Sequence, residues 1–515
     1  MRIKPRWLIL GASAAAVTAS LADNKWDINA IGIVRFGRAA FTAAAISADY
    51  KFRVYGRQMP ENEEEVKHIW SSAHRRSAER LLDLAKANKG VFIKVGQHLG
   101  ALDYLLPPEY IETLKILHSQ APSSPLQDVL QVIKEDLQND TDKVFKKFDP
   151  EPIGAASLAQ VYKAELKTGE IVAVKVQHRD VLPHSKVDIK TMEVLTQIAA
   201  WIFPDFKLLW LAEETKRNLP NELNFLHEGR NADKVRGLAA DCDWLMVPKI
   251  YWEFSSKRVL TMEFCDGGQI NDLKYLKDNK ISTKEVCEKL GLLYADMIFN
   301  HGFVHCDPHP GNIIIRKRSR DNEVELCLLD HGLYTTLSDE FRYSYSQLWL
   351  CILNSDVDGI KKHSMDLGVG EMYGLFACMI TGRSWESIAS KDGITKVKLT
   401  KDEENAIRKN VGSYLPQISD ILARVPKPMI LIFKTNDLIR GVEASLKNQK
   451  SMYSFMTMAK FCTRAVYKEQ RRKCDTYYCY FKYKLIETFT LAKISLFQWF
   501  LWLRTVVDPV LSVVL

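Results

Sequence analysis

His305-Cys-Asp-Pro-His-Pro-Gly-Asn312, the apolar run Ile313-Ile-Ile315, then Leu328-Leu-Asp-His-Gly332: these three pieces decide how the rest of the chain is read. Phosphoryl transfer needs a carboxylate to orient and deprotonate the acceptor, and hard oxygen ligands to hold magnesium against a polyphosphate. Asp307 stands five residues before Asn312, the spacing that puts a catalytic Asp and a metal-binding Asn in one loop. A second apolar strand ends on Asp330-His-Gly, in the place of a metal-binding Asp-Phe-Gly. A D-x-x-x-x-N pair alone is expected about once by chance in a chain this long. Its position before one strand, with a second strand closing on Asp-His-Gly, makes the combination specific. The cluster of His305, Cys306, Asp307 and His309 has a competing reading as a metal site. Consecutive ligands flanked by two prolines do not converge easily on one tetrahedral zinc, so that reading is set aside.

The other half of such a site is found upstream. Gln160–Leu166 and Ile171–Gln177 are β-rich runs joined by Lys167-Thr-Gly-Glu170, which predicts a hairpin. On its second strand, Val172-Ala-Val-Lys175, a period of two places Ala173 and Lys175 on one face. A small residue there leaves room for an adenine, and the lysine reaches the α- and β-phosphates. An isolated V-A-V-K would be a solvent-facing edge lysine; its order before the catalytic loop favours function. The lysine needs a carboxylate on a helix, and Asn221-Glu-Leu-Asn-Phe-Leu-His-Glu228 offers Glu222 and Glu228. Six residues apart, they point about 240° apart around a helix, so they serve different partners, with Glu228 assigned to Lys175. No G-x-G-x-x-G precedes the hairpin. Gly154-Ala-Ala-Ser-Leu-Ala-Gln160 takes its place, and the extra methyl groups narrow the backbone's approach to phosphate. The nucleotide-binding candidates are therefore Ala155, Ala156, Ser157, Ala173, Lys175 and Glu263. Gly368-Val-Gly370 has no preceding strand and is a decoy.

Residues 61–118 read helical, including 63–89 and a glycine-spaced helix around Lys94. Ala121–Pro125 and Pro150–Pro152 are breaks. Residues 185–235 are helical in period and Trp244–Phe264 returns to short strand-like runs. From Ser282 helices dominate, apart from Ile313–Arg316 and Glu325–Leu329. The fold class is α+β: a protein-kinase-like two-lobe fold with an N-terminal helical extension (23–120), a β-containing lobe (145–265) and a large helical lobe (266–465). The 515 residues, 47% hydrophobic and 26% charged, exclude a disordered, collagen-like or coiled-coil chain. A mean hydropathy of −0.16 excludes a polytopic membrane protein. The net charge of +8 suits an anionic lipid surface or a phosphate substrate and is too small to argue for nucleic acid. The ten cysteines form no C-x-x-C pair and read as reduced, mostly buried thiols.

The first 22 residues carry Arg2, Lys4 and Arg6, then an apolar run free of acids until Asp23. That reads as a mitochondrial targeting or anchor segment, with a secretory signal the competing reading. In 28–48 two arginines, Arg35 and Arg38, make a bilayer crossing expensive and predict a helix packed on protein or lying at an interface. Residues 466–515 end in an apolar tail interrupted by Arg504, Asp508 and Pro509. Trp499 and Trp502 behind the basic run Arg471-Arg472-Lys473 suit a membrane interface, and a helix docked on the core explains them equally well.

Lys94-Val-Gly-Gln97, Ala155-Ala-Ser157, Val172-Ala-Val-Lys175, Glu222-Leu-Asn224 with Glu228, the His305–Asn312 loop and Leu329-Asp-His-Gly332 together resemble the UbiB-type (AarF-domain) atypical kinases, over roughly residues 60–450. The resemblance implies an ATP- and Mg2+-binding fold. In it the Lys94 segment folds over the active site, and Lys94 pairs with the first glutamate of an E-x-D motif, here Glu222. Lys94, Gln97 and Glu222 are thus regulatory or occluding candidates. Lys94, Gln97 and His98 share one helix face, and Gly96 and Gly100 permit close helix approach. The chain departs from the pattern at Asn224, neutral where the motif has Asp, and at Cys306, where glycine is more usual. No Ala-Pro-Glu follows Asp330, so peptide docking and activation-loop control are unsupported.

The expected function is a mitochondrial, inner-membrane-associated kinase- or ATPase-like protein. Asp307 is the base, Lys175 and Glu228 clamp the phosphates, and Asn312 and Asp330 hold the metal. By family resemblance it serves lipid or quinone homeostasis, and membrane-organising proteins are its expected protein partners. Two alternatives are carried: a scaffold maintaining inner-membrane structure without chemistry, and a small-molecule phosphotransferase of the antibiotic-modifying type. The second gives no reason for Lys94-x-Gly-Gln97 or Glu222.

Overall fold

A computed structural model describes residues 31–102, 106–119, 123–203, 209–318, 320–390, 417–418, 420–422, 424–446 and 453–514. The targeting segment at 1–22 lies outside them. The described chain divides into two compact units. One runs up to Arg230 and takes in Lys249–Phe264, and the other comprises Asn231–Pro248 and the chain from Cys265 onward.

The first unit opens with helices α1 (Gly32–Tyr50), α2 (Glu63–Asn88), α3 (Val91–Gly100) and α4 (Pro108–Leu114). Of the two arginines that interrupt the apolar run of α1, Arg35 is buried. Its guanidinium donates to both carboxylate oxygens of Asp188, at 2.8 and 2.5 Å, on α6 (Val181–Ile202). The pair pins α1 onto protein, with Ala39 packed among Leu82, Phe92, Ile93, Leu114 and Leu117. Gly96 and Gly100 are buried, and a Cβ at Gly96 would lie 2.4 Å from Cδ1 of Leu117. The expected close approach of α3 is therefore real.

Strands β1 (Phe145–Phe148), β2 (Gly154–Ala155), β3 (Ala159–Leu166), β4 (Ile171–Gln177) and β6 (Val259–Glu263) form an antiparallel sheet in the order β1-β3-β4-β6, with β2 on β3. Alternation sends Val172, Val174 and Val176 into a core with Val129, Val132 and Ile133 of α5 (Leu126–Leu137). Ala173 and Lys175 take the opposite face. The β3–β4 turn carries Gly169 at φ +97°, a conformation open to glycine and costly for other residues.

Helices α7 (Leu209–Glu222) and α8 (Phe225–Leu238) are separate elements. This corrects the single helix assumed for Glu222 and Glu228. Asn224 caps the second helix, its carbonyl accepting from the His227 and Glu228 amides.

In the second unit β5 (Leu245–Met246), β10 (Val324–Leu328), β9 (Ile313–Lys317) and β7 (Gly268–Gln269) form one sheet in that order, and β8 (Phe303–His305) pairs with β11 (Tyr334–Thr336). The β9–β10 hairpin was expected; β1, β5, β7, β8 and β11, two to four residues each, are too short to declare a period. Helices α9 (Thr283–Ala295), α10 (Asp339–Leu353), α11 (Val357–Asp366), α12 (Tyr373–Thr381), α13 (Lys427–Ser445), α14 (Tyr453–Arg472) and α15 (Tyr477–Val514) make up most of the remaining described residues. Helix α15 docks on α14 through an Arg471–Glu487 ion pair and a 2.5 Å hydrogen bond from Lys460 to Gln498. Its outer face still exposes Phe481, Leu485, Phe489, Leu496 and Trp499. No helix among the described residues is long and apolar enough to cross a membrane.

One expectation for the cysteines fails. Cys474 and Cys479 form a disulfide between α14 and α15, because the tight connection brings their Cα atoms to 5.6 Å, within bridging reach. The other eight are free thiols, five of them buried.

Candidate functional site

In the first unit Lys175 projects from β4, and its Nζ donates to both oxygens of Glu228, at 2.7 and 2.9 Å. The glutamate side chain is 2% exposed, and the Phe225 ring lies 5.2 Å from the ammonium. A carboxylate and an ammonium joined by two such hydrogen bonds away from bulk water fix each other in direction. Lys94 Nζ lies 2.7 Å from Glu222 Oε2 in a second, separate buried pair. The helix break at Leu223–Asn224 is what aims the two glutamates at different lysines. Gln97 donates to the Leu117 carbonyl at 2.9 Å, fixing α3 to the segment after α4. The Asn224 side chain, where the family pattern has a carboxylate, has a buried Oδ1 that accepts no hydrogen bond among the described residues.

Ala155 and Ala156 are exposed at the tip of the alanine-rich loop, while Ser157 is buried beneath it. The loop is tied from below: the Ala156 carbonyl lies 3.0 Å from His178 Nε2, whose Nδ1 meets the Ser124 hydroxyl at 2.8 Å. Burial pushes the His178 imidazole below its ordinary value, so the ring is neutral and Nε2 is the donor. Gly154 has open space where a Cβ would sit and no positive φ. Ala173 is buried against Met262 of β6 in register, and Glu263 ends that strand with its carboxylate accepting from the Lys249 amide at 3.2 Å.

In the second unit the Asp307 and Asn312 side chains meet across a tight loop. The Asn312 amide nitrogen donates to the Asp307 carbonyl at 3.0 Å and approaches Oδ2 at 3.4 Å. The Leu329 amide donates to the Asn312 carbonyl at 2.9 Å, which brings the residue before Asp330 against the His305–Asn312 loop. Asp330 is itself oriented by the Gly332 amide, at 2.8 Å. With its nitrogen committed to Asp307, Asn312 turns its amide oxygen the other way. A carboxylate and an amide oxygen are hard donors that suit Mg2+, which takes one or two protein ligands and fills its shell with phosphate oxygens and water.

The histidines are structural supports. His305 is buried against the Tyr294 hydroxyl at 2.7 Å, and burial drives its basicity down. His331 lies flat on Tyr334 and reaches the Leu328 carbonyl at 3.0 Å, while its own carbonyl accepts from Asn231 at 2.9 Å. Cys306 is an inert thiol pushed up to about 12 by burial.

The structure adds a residue that motif reading missed. Lys434 on α13 lies 2.9 Å from Asp307 Oδ1, with its side chain 8% exposed. One signal was present: a lone lysine interrupting the apolar stretch Met429-Ile-Leu-Ile-Phe433.

Residues 116–364 match the model of the ABC1 atypical kinase-like domain. The AarF domain-containing kinase 1 of Drosophila melanogaster is 51% identical over 466 residues, covering 90% of this chain and 89% of that protein. The Mus musculus AarF domain-containing protein kinase 1 is 49% identical over 493 residues, covering 96% and 93%. Among solved structures, the Rv3197–erythromycin complex from Mycobacterium tuberculosis is 19% identical, covers 74% of this chain and 98% of that one, and superposes with a TM-score of 0.44.

Proposed function

The chain belongs to the ABC1 atypical kinase-like family, and on that premise we propose that it binds Mg-ATP and turns it over as an ATPase or small-molecule phosphotransferase at the mitochondrial inner-membrane surface. The observation that carries the proposal is the buried Lys175–Glu228 pair. An ammonium fixed by a helix carboxylate on a strand face shared with a small residue is a device for holding α- and β-phosphates. In this reading Asn312 and Asp330 hold magnesium, which when bound neutralises charge on the polyphosphate. Asp307 orients the acceptor oxygen and receives its proton. Ala155, Ala156 and Ser157 offer backbone to the phosphates, Ala173 makes room for the base, and Glu263 ends the strand beside it. Lys94, Gln97 and Glu222 regulate access. The physiological role is lipid or quinone homeostasis, and the apolar face of α15 with Lys482 and Lys493 is the membrane-facing surface. Isothermal titration of the purified chain with Mg-ATP tests the nucleotide claim. Saturable heat is expected, and none up to millimolar nucleotide overturns it.

A second reading, a nucleotide-gated scaffold that organises inner-membrane proteins, is favoured by Asn224, whose neutral side chain leaves a buried acceptor without a hydrogen bond among the described residues. Complementation of null cells by both Asp330→Ala and Lys175→Ala supports the scaffold; failure of both supports the enzyme.

A further inference from the structure

We propose that Lys434 completes the catalytic loop of the second unit, its ammonium holding the Asp307 carboxylate in place for phosphoryl transfer. The inference rests on the reading of the chain as an Mg-ATP-consuming protein and adds a residue to it.

Lys434 lies 127 positions beyond Asp307, on α13. It follows five buried residues, Met429 to Phe433, and is itself buried. Removing an ammonium from water is unfavourable unless a partner compensates. The partner is Asp307 Oδ1, at 2.9 Å. The neighbouring residues fix the helix at this point. Thr435 is fully buried, its hydroxyl donating to the Leu431 carbonyl at 2.8 Å, and Asn436 Nδ2 meets the Tyr345 hydroxyl at 3.3 Å. Lys434 is therefore delivered to the loop with its helix anchored on both sides.

Two features separate this pair from an ordinary core ion pair. The loop from His305 to Asn312 contains no Lys or Arg, and phosphoryl transfer profits from a fixed cation beside the reacting groups. The two oxygens of Asp307 are also addressed from different directions, Oδ1 by Lys434 and Oδ2 by Asn312, which locks the carboxylate's rotation. In the reaction the bond between the γ-phosphorus and the bridging oxygen breaks and a bond to the acceptor oxygen forms. ADP leaves with the electron pair, and the acceptor's proton passes to Asp307. Lys434 keeps its proton throughout. It is a positioning residue: it sets where Asp307 points and acts through it.

The test is steady-state ATP hydrolysis by the full-length chain, with Mg-ADP affinity measured in parallel. Lys434→Met is expected to lower kcat about 100-fold while KM and the Mg-ADP Kd stay within about threefold. Lys434→Arg, which keeps the charge, is expected to stay within about tenfold of wild-type kcat. Lys434→Met placed on Asp307→Asn is expected to cost nothing further, because the two act as a unit. A purely structural lysine would lower the melting temperature and leave the kcat of the folded protein alone. Wild-type kcat in Lys434→Met overturns the proposal, as does an equal loss in Lys434→Arg. Should Lys434→Met prove too unstable to purify, Lys434→Arg decides alone: kcat at the Asp307→Asn level overturns the proposal. A wild-type chain that neither binds nor hydrolyses Mg-ATP removes the parent reading together with this one. Wild-type turnover lost in Asp307→Asn but kept in Lys434→Met removes only this one.

Discussion

Lys175 and Glu228 show what a single side chain is worth at a buried site. Lys175→Met strips its cation from a glutamate that is 2% exposed, and we expect a loss of about 3–5 kcal/mol of stability by urea denaturation. The double variant Lys175→Met/Glu228→Gln, which buries no unbalanced charge, should recover most of it while binding Mg-ATP no better than the single variant. Recovery of stability without recovery of binding separates the pair's structural role from the role toward phosphate proposed for it. At this scale the motif residues were legible, because each sits at a fixed offset within a recognisable local pattern. Lys434 was not. Nothing within ten residues of it names Asp307, and only its place in an apolar run set it apart.

Among the elements, the helical extension of the first unit is held by charge as well as by apolar packing. Asp49, at the end of α1, takes hydrogen bonds from Arg76 and Arg80 of α2 and lies 3.3 Å from Arg53. The Arg76 hydrogen bond, ahead of the opposing effect of burial, brings the carboxyl down to about 2. A folded value below the unfolded one means the unfolded chain binds the proton more tightly. The contribution to stability is therefore complete above about pH 4 and disappears as the pH falls toward 2. Thermal melts should show wild type losing more than Asp49→Asn over that interval; equal losses would deny the clamp. Legibility of the elements followed their length. The eight- and seven-residue strands β3 and β4 complete several periods, whereas β7 and β8, two and three residues long, complete barely one. The break between α7 and α8 went unread for the same reason: two residues, Leu223 and Asn224, carry no turn signal strong enough to interrupt a helical period.

For the molecule as a whole, the surface that most needs an explanation is the outer face of α15. Exposed Phe481, Leu485, Phe489, Leu496 and Trp499 follow one another at steps of four, four, seven and three residues, which keeps them on one helix face, interspersed with Lys482 and Lys493. Aromatic and aliphatic side chains between lysines suit the boundary of an anionic bilayer. Co-sedimentation with vesicles containing anionic phospholipid should retain the full-length chain, and Phe489→Asp/Trp499→Asp should reduce binding at least about tenfold. Equal retention of both proteins would assign the stripe to something other than lipid. The two readings of this tail prove compatible in geometry, since one face of α15 lies on α14 while the other meets solvent.

By itself the amino-acid sequence determined the local architecture of this protein: the hairpin whose alternation sets Lys175 opposite its valines, the spacing of Asp307 and Asn312, and the glycines that let α3 pack closely. These follow from backbone periodicity and steric size, which neighbouring residues declare. Tertiary structure alone decided that Arg35 is neutralised by Asp188 and Asp307 by Lys434, and that a helix break, rather than the pitch of one helix, separates Glu222 from Glu228. The ion pairs join residues more than a hundred positions apart, and only the packing of whole elements can bring such charges within 3 Å and make their burial tolerable.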